Sequence, residues 1–582
     1  MPATLRPETS PQTLSTPFNR VWPPLDQIWT RLDRTLRWAI SLFGALTLLS
    51  LLVAPHFILP EEDAIILFQF SRNLAHTGII SYIPNGPHAE GATDFAWMLL
   101  LAGGFKLHMQ PFWTVALING ASLIALPWLL ARIAGQRLRL LPALFMMGIF
   151  GLMPQAAAAA LGFSVLPFSC LLALMVLFFL RRKDTALAFT CLALCLFRPD
   201  GVVFALPMLT SALILYDRRQ RRATVFAAIF LVPGTAYFLW RWHYFGSLLP
   251  LPFMVKSDAQ RFAHVLVITS LQHGAFLCIF AFVLAWLALR GRSRLSPPTC
   301  AVLLCLLLLP NLFYFVMRLD QDAGHRFFIY LPLGAAILIA IEWPRIRQER
   351  ASLLRTAAVL WLLLVSTIWL NAFKIGWERQ FDNRIAIATD LASLPHGILI
   401  VTEAGIVPYY SNWVTYDAWG LDTERFAGRL FQPSDVAGIQ PDAMMVYAGG
   451  DLECSQRQGW ATPYTTRTWQ HLTRNVIAGT DPALYELWYA PYASSGWRTS
   501  LGIKTWQDDQ ECWFVRRDSP LRQGILDALA RHGALPAAEY LALAPPRTSP
   551  DPAIARPPAH QSNWLRALLH YPYRSWRSLT ES

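Results

Sequence analysis

"LPEEDAIILFQFSRNLAHTGIISYIPNGPHAEGATDFAW" spans residues 59–97, between an apolar run over 36–57 and another over 93–107. Three acids in a row, Glu61, Glu62 and Asp63, stand where the first hydrophobic segment ends. From Asp63 to His76 most positions are apolar, with polar residues at Gln69, Arg72, Asn73 and His76. That spacing predicts a helix lying at a membrane interface, with Asp63 near its N-terminus, where backbone N–H groups can hold a carboxylate. "SYIPNGPHAEGAT" then reads as a Pro/Gly-rich turn that returns the chain to the membrane.

The wider composition agrees with a membrane setting. The 582 residues are 54% hydrophobic and 15% charged, with a mean hydropathy of +0.35. This is the profile of a polytopic membrane protein. Residues 36–57 can cross a bilayer, and the charged tract before them is too long for the n-region of a signal peptide, so the segment reads as a retained helix. Further apolar segments fall near 93–107, 112–134, 138–152, 157–180, 185–198, 201–216, 223–241, 262–289, 298–317, 327–343 and 355–373.

The net charge of +12 resides largely in short Arg-rich loops such as "LRRKD", "YDRRQRR", "LRGRSR" and "EWPRIRQER". These are cytoplasmic loops by the positive-inside rule, and no aromatic-interleaved basic stripe suggests nucleic acid. The connections between them, "FRPDG", "YFGSLLPLPFMVKSD" and "MRLDQDAGHRF", then face out together with the first loop and everything after about residue 375. An N-terminus inside and a C-terminus outside require an odd number of crossings, roughly eleven.

The expected organisation is a cytoplasmic tail (1–35), a multi-span catalytic domain (36–374, first outer loop 58–92), an extracytoplasmic soluble domain (375–543) and a Pro-rich tail (544–582). "GILIVTEAGIVPYY", "DAMMVYAGG" and "ECWFVRRD" contain buried-strand patterns, so the soluble domain is α/β or α+β. Cys454 and Cys512 are its two cysteines, and in an oxidising compartment they can pair if their Cα atoms lie within about 7 Å. No C-x-x-C metal spacing occurs.

This sidedness collects Glu61, Glu62, Asp63, Arg198, Asp200, Lys256, Arg318, Asp320, Asp322, His325 and Arg326 at one outer membrane boundary. Any one of them could merely anchor a span in the interface. Lys256 argues for more, because the chain has only five lysines and this one lies in an outward loop. A cation there suits an anionic group such as a lipid phosphate.

Residues 62–97 resemble the first outer loop of GT-C superfamily glycosyltransferases of the arabinofuranosyltransferase-like group. Asp63, Arg72, Asn73, Leu74, Ala75, Tyr82, Pro84, Gly86, Glu90, Gly91 and Thr93 match that pattern without a gap. "FRPDG", "YFGSLLPLPFMVK", "RLDQDAGHRFFIYLPL" and "TEAGIVPYYSNWVTYDAWGLDTERFA" match further family segments in order, so the resemblance covers roughly 36–430. Glu62 replaces the first Asp of the usual pair, Gln69 a usual Arg, and Asp94 a usual Ser or Asn, which bears on donor-sugar specificity.

The resemblance implies a polyprenyl-phosphate monosaccharide donor, with arabinofuranose one candidate sugar. It also implies a glycan or protein acceptor outside the cytoplasm of a bacterial inner membrane, surrounded by membrane lipid. No nucleotide site is required, and no Gly-rich phosphate loop is found. Asp63 is the expected catalytic carboxylate, with Glu62 the second candidate. Lys256, Arg326 and Arg198 would neutralise the leaving phosphate. Asp200, Asp320 and Glu403 could bind sugar hydroxyls or a divalent cation, and Arg72, Asn73, Glu90 and His325 join the donor-binding set. Trp413, Trp419, Trp460 and Trp488 could bind the acceptor, or pack a core. A polytopic transporter or lipid-linked sugar flippase is the alternative, although acids at span ends and the lack of a repeat fit it less well.

Overall fold

The computed structural model describes residues 38, 41, 45, 61–135, 162–256, 295–316, 323–342, 383–449, 454, 469–491 and 509–543. Of the expected span at 36–57 only residues 38, 41 and 45 are described; the spans at 138–152, 262–289 and 355–373, the two tails, Arg318, Asp320, Asp322 and Trp460 lie outside these residues.

Among the described residues three helices are long and apolar enough to cross a membrane: Pro111–Ile133, Arg219–Phe245 and Pro297–Tyr314. Shorter apolar helices cover Phe95–Lys106, Val165–Leu180, Asp184–Phe197, Gly201–Leu215 and Arg326–Leu338. At 1.5 Å per residue, the 16 residues of Val165–Leu180 extend only ~24 Å, short of a full hydrocarbon core. The described helices therefore do not by themselves yield a count of eleven crossings.

These helices pack on one another through large apolar side chains, including Leu123, Phe168, Leu172, Phe204, Met208 and Leu333. Arg219–Phe245 joins this core through Phe226, with Val225, Ile229 and Phe230 against it. It turns Leu231, Val232, Phe238, Leu239 and Trp242 outward, the apolar exterior expected of a helix facing lipid. Its helical turns widen at Ala227–Leu231 just before Pro233, and those of Pro297–Val316 widen at Leu304–Leu308 just before Pro310. A proline inside a helix lacks the N–H its predecessor carbonyl needs and crowds that carbonyl, and a wider turn relieves both faults.

The C-terminal sheet domain, read above as the soluble domain, is built on six strands with spatial order β2-β1-β3-β5-β4-β6. The strands are β1 (Ile398–Val401), β2 (Val414–Asp417), β3 (Ala443–Gly449), β4 (Tyr485–Pro491), β5 (Asp509–Arg516) and β6 (Leu535–Pro536). β1 pairs in parallel with β2 and β3, whereas β5 runs antiparallel to β3 and β4, and β6 antiparallel to β4. The domain thus mixes the α/β and α+β patterns. The three stretches read as strands from sequence form β1, β3 and β5.

Their continuous apolar character reflects burial on both faces. Leu399, Val401, Met445, Trp513 and Val515 pack against Ile387, Leu391, Ile525 and Leu529, which belong to helices Asn383–Ala392 and Arg522–Arg531. The alternate residues Ile400, Met444, Val446 and Phe514 share a second core with Ile65, Phe68, Tyr82, Trp97 and Leu251. The sheet is therefore welded to the first outer loop and the neighbouring helix ends. Cys454 and Cys512 form a disulfide with Cα atoms 6.1 Å apart, as the sequence led us to expect.

Candidate functional site

The site begins with the helix Glu62–Thr77, which the acidic run opens and Gly78 closes. Glu62 and Asp63 in its first turn complement the positive end of the helix dipole. Gly78 adopts φ 75° and donates its N–H to Leu74 O at 3.0 Å, a left-handed C-cap.

The helix differs from an interfacial one in what surrounds it. It packs between Phe95–Lys106 and Ile406–Ser411 of the soluble domain, and Gln69 and Asn73 are buried. Gln69 Nε2 donates to Tyr82 O (3.0 Å), while Asn73 Nδ2 donates to Ser81 O and Tyr82 O (2.9 Å each). Arg72 donates to Tyr409 O (2.8 Å) and Asn412 Oδ1 (2.9 Å) and lies over the Tyr409 ring. The polar row expected to face the interface therefore docks the returning loop and the soluble domain.

Glu62 joins the same junction. Its Oε1 accepts the backbone N–H groups of Gly405 and Ile406, both at 2.9 Å. Buried Arg384 lies 3.5 Å from Glu62, 2.6 Å from Glu403 and 2.9 Å from Glu511. Gly405 is needed for this approach, since a Cβ there would sit 2.3 Å from the Glu62 carbonyl. Tyr82 adds a bond from its hydroxyl to Ala404 O at 2.7 Å.

Asp63, one residue on, points elsewhere. Arg326 Nη2 donates to its Oδ2 at 2.6 Å, and the two side chains are 10% and 29% exposed for Arg326 and Asp63. Arg326 lies over Phe163 and Phe327, and Arg198 lies over the other neighbour set, Phe168 and Phe327, so one phenyl ring borders both guanidiniums. Arg198 grips Asp200 through two bonds of 3.0 and 2.7 Å, and the Tyr314 hydroxyl also donates to Asp200. Ser164 Oγ donates to Asp94 at 2.8 Å.

Lys256 ends the short helix Leu251–Lys256, which packs on Glu424–Ala427 of the soluble domain. Glu90 positions that helix by accepting the Leu251 N–H at 3.2 Å through its backbone carbonyl. Its side chain forms a buried ion pair with Arg241, whose Nη1 donates to Leu248 O at 2.9 Å. Burial raises the Glu90 carboxyl above its ordinary range, and Arg241 opposes that rise. The backbone of His325 lies in the tight turn Ala323–Phe328 that precedes Arg326–Leu338.

One carboxyl at this junction escaped the sequence reading. Asp422 follows β2 and is only 3% exposed. Burial pushes it well above the ordinary carboxylate range, the charges of Asp417 and Asp63 push it further, and Lys256 pulls it back. Tyr82 is likewise pushed up by burial and then by Asp422, Asp417 and Glu62. Asp417, Asp63 and Lys256 therefore lie within electrostatic reach of Asp422, and Asp422, Asp417 and Glu62 within reach of Tyr82. The signal in the sequence was slight: an Asp in a Gly-containing loop after a strand.

Among the described residues no group of three or more His, Cys, Asp or Glu is arranged to hold a metal ion. Trp413 is fully buried and bonds Leu391 O at 3.0 Å, and Trp419 is buried against Trp469, so both pack a core. Trp488 packs at the edge of the outer core.

No family model matches the chain, and no curated protein matches it. Among solved structures it is similar to the archaeal oligosaccharyltransferase AglB from Archaeoglobus fulgidus, solved in complex with an inhibitory peptide and a dolichol-phosphate. The two share 12% identity with a TM-score of 0.44, over 85% of this chain and 77% of that one. So distant a likeness carries no argument about this chain's reaction.

Proposed function

We propose that the protein is an integral-membrane glycosyltransferase. It moves a monosaccharide, with arabinofuranose one candidate, from a polyprenyl-phosphate donor to a glycan or protein acceptor. The observation that carries this reading is the Asp63–Arg326 ion pair, with Asp63 and Lys256 both within electrostatic reach of buried Asp422. A lipid donor needs such groups at the membrane edge, because its chain stays in the bilayer while its phosphate and sugar stand at that edge. The resemblance to the glycosyltransferase pattern over roughly residues 36–430 supports the same reading.

In the proposed reaction an acceptor hydroxyl oxygen attacks the anomeric carbon, and the bond from that carbon to the phosphate oxygen breaks. The hydroxyl proton passes to the Asp63 carboxylate, and the bonding electron pair leaves with the phosphate. Arg326 and Lys256 face the charge that develops on the phosphate, where fixed cations in a partly dry site act strongly. Arg326 also holds Asp63 in place. Glu62, tied to Gly405, Ile406 and Arg384, keeps the soluble domain seated over the site. The site would face the periplasm or cell exterior of a bacterial inner membrane.

Membranes containing the protein should transfer label from one member of a panel of radiolabelled polyprenyl-phosphate sugars. Membranes carrying Asp63→Asn should not. Absence of transfer from every donor in the panel would sink the reading.

A further inference from the structure

The loop between β2 and the helix Glu424–Ala427 is tightly wired, yet it leaves its buried acid unused. Asp417 Oδ1 accepts the Trp419 N–H (2.9 Å), its Oδ2 accepts the Asp422 N–H (3.1 Å), and its own N–H goes to Thr423 Oγ1 (2.9 Å). Gly420 turns the chain at φ 84°, where a side chain would strike the Phe426 backbone. The same scaffold gives neither carboxyl oxygen of Asp422 a hydrogen-bond partner among the described residues. Buried polar atoms are nearly always bonded, so a rigid loop that orphans both oxygens of one carboxyl calls for an explanation.

What lies against Asp422 indicates the partner. Its Oδ1 sits over the bare Cα of Gly91, where a Cβ would be 1.8 Å away. Gly91 belongs to the first outer loop, next to Glu90 and on the chain that carries Asp63. A phosphate offers no hydrogens for two carboxyl oxygens to accept, and Lys256 and Arg326 already suit one. A cation would need further ligands, but Asp417 is committed to backbone N–H groups and Asp63 binds Arg326. A polyol fits, because neighbouring hydroxyls can donate to both oxygens of one carboxyl at once.

We propose that Asp422 is a substrate-contacting, specificity-determining residue, whose carboxyl binds a pair of hydroxyls on the transferred sugar once the Gly91 segment of the first outer loop draws back. This rests on the glycosyltransferase reading above and adds the group that selects the sugar.

The test uses the purified full-length protein with the polyprenyl-phosphate sugar that proves active and its monodeoxy analogues. Wild type should use the analogue lacking a contacted hydroxyl about 100-fold less efficiently or worse, because a site built around that hydroxyl is left unpaired without it. Asp422→Asn and Asp422→Ala should lower kcat/KM for the full sugar by about tenfold or more and shrink the discrimination to a few-fold. Asp422→Asn should keep wild-type thermal stability or exceed it, which separates lost binding from lost folding. Equal losses on every analogue, or full-sugar kinetics within about threefold of wild type, overturn the assignment while leaving the transferase reading intact. Rescue of the variant by added Mg²⁺ or Mn²⁺ overturns it in favour of a cation ligand. A wild type that transfers from no donor overturns both.

Discussion

Asp63→Asn tests the chemistry most directly, because the structure separates the two things this carboxylate does. It pairs with Arg326 at 2.6 Å, with 29% of its side chain exposed, and it is the proposed proton acceptor. Breaking a fully buried pair costs ~3–5 kcal/mol. Asn keeps an oxygen that can accept from Arg326, and partial exposure lets water screen the orphaned guanidinium, so ~1–2 kcal/mol is expected here. Loss of the proton acceptor should slow transfer ~10²–10⁴-fold. Stability and rate therefore fall on different scales. Arg326→Met alone should destabilise the protein, and the double variant Asp63→Asn/Arg326→Met should recover stability while remaining inactive. The assay is label transfer from the active polyprenyl-phosphate sugar, read beside the melting temperature of the purified protein. Activity in the double variant, or Asp63→Asn turning over within about threefold of wild type, would refute the assignment of Asp63 as the base.

Burial raises Asp422, so the folded state holds a proton that the unfolded state releases above the ordinary carboxyl value of ~4. This contribution is therefore most favourable in acid and is lost as pH rises from ~4 toward the elevated value; Asp422→Asn should flatten that slope in a chemical-denaturation series, with Asp417, Asp63, Lys256 and Tyr82 unchanged. Gly405→Ala places a methyl 2.3 Å from the Glu62 carbonyl, and should loosen the seat of the soluble domain by ~1–3 kcal/mol, seen as faster proteolysis of the junction. Reduction should change the gel mobility of wild type but not of Cys512→Ser, as the Cys454–Cys512 bond requires. Alkaline-phosphatase and fluorescent-protein fusions after Ser257 and after Arg222 should report opposite sides of the membrane, and equal reporting would place Lys256 away from the outer boundary.

What could be read along the chain was whatever depends on neighbours in sequence. Apolar runs marked the helices, and "GILIV", "AMMVYAG" and "ECWFV" marked strands buried on both faces. The helix after the acidic run was legible for the same reason, as were the two cysteines able to meet. Local pattern could not say which partner each polar group would find. Successive residues on a helix point about 100° apart, so adjacent Glu62 and Asp63 part company: one reaches the backbone of Gly405 and Ile406, the other reaches Arg326. In sequence they were rival candidates for one role. Gln69, Arg72 and Asn73 read as polar positions of a helix lying in the interface, yet they close on Tyr82, Tyr409 and Asn412 because the returning loop and the helix Ile406–Ser411 pack on them. Asp422 was the least legible, since an aspartate after a strand signals only a turn. Its meaning comes from burial without a partner beside Gly91, more than three hundred residues away along the chain, and only the tertiary structure brings those two loops together.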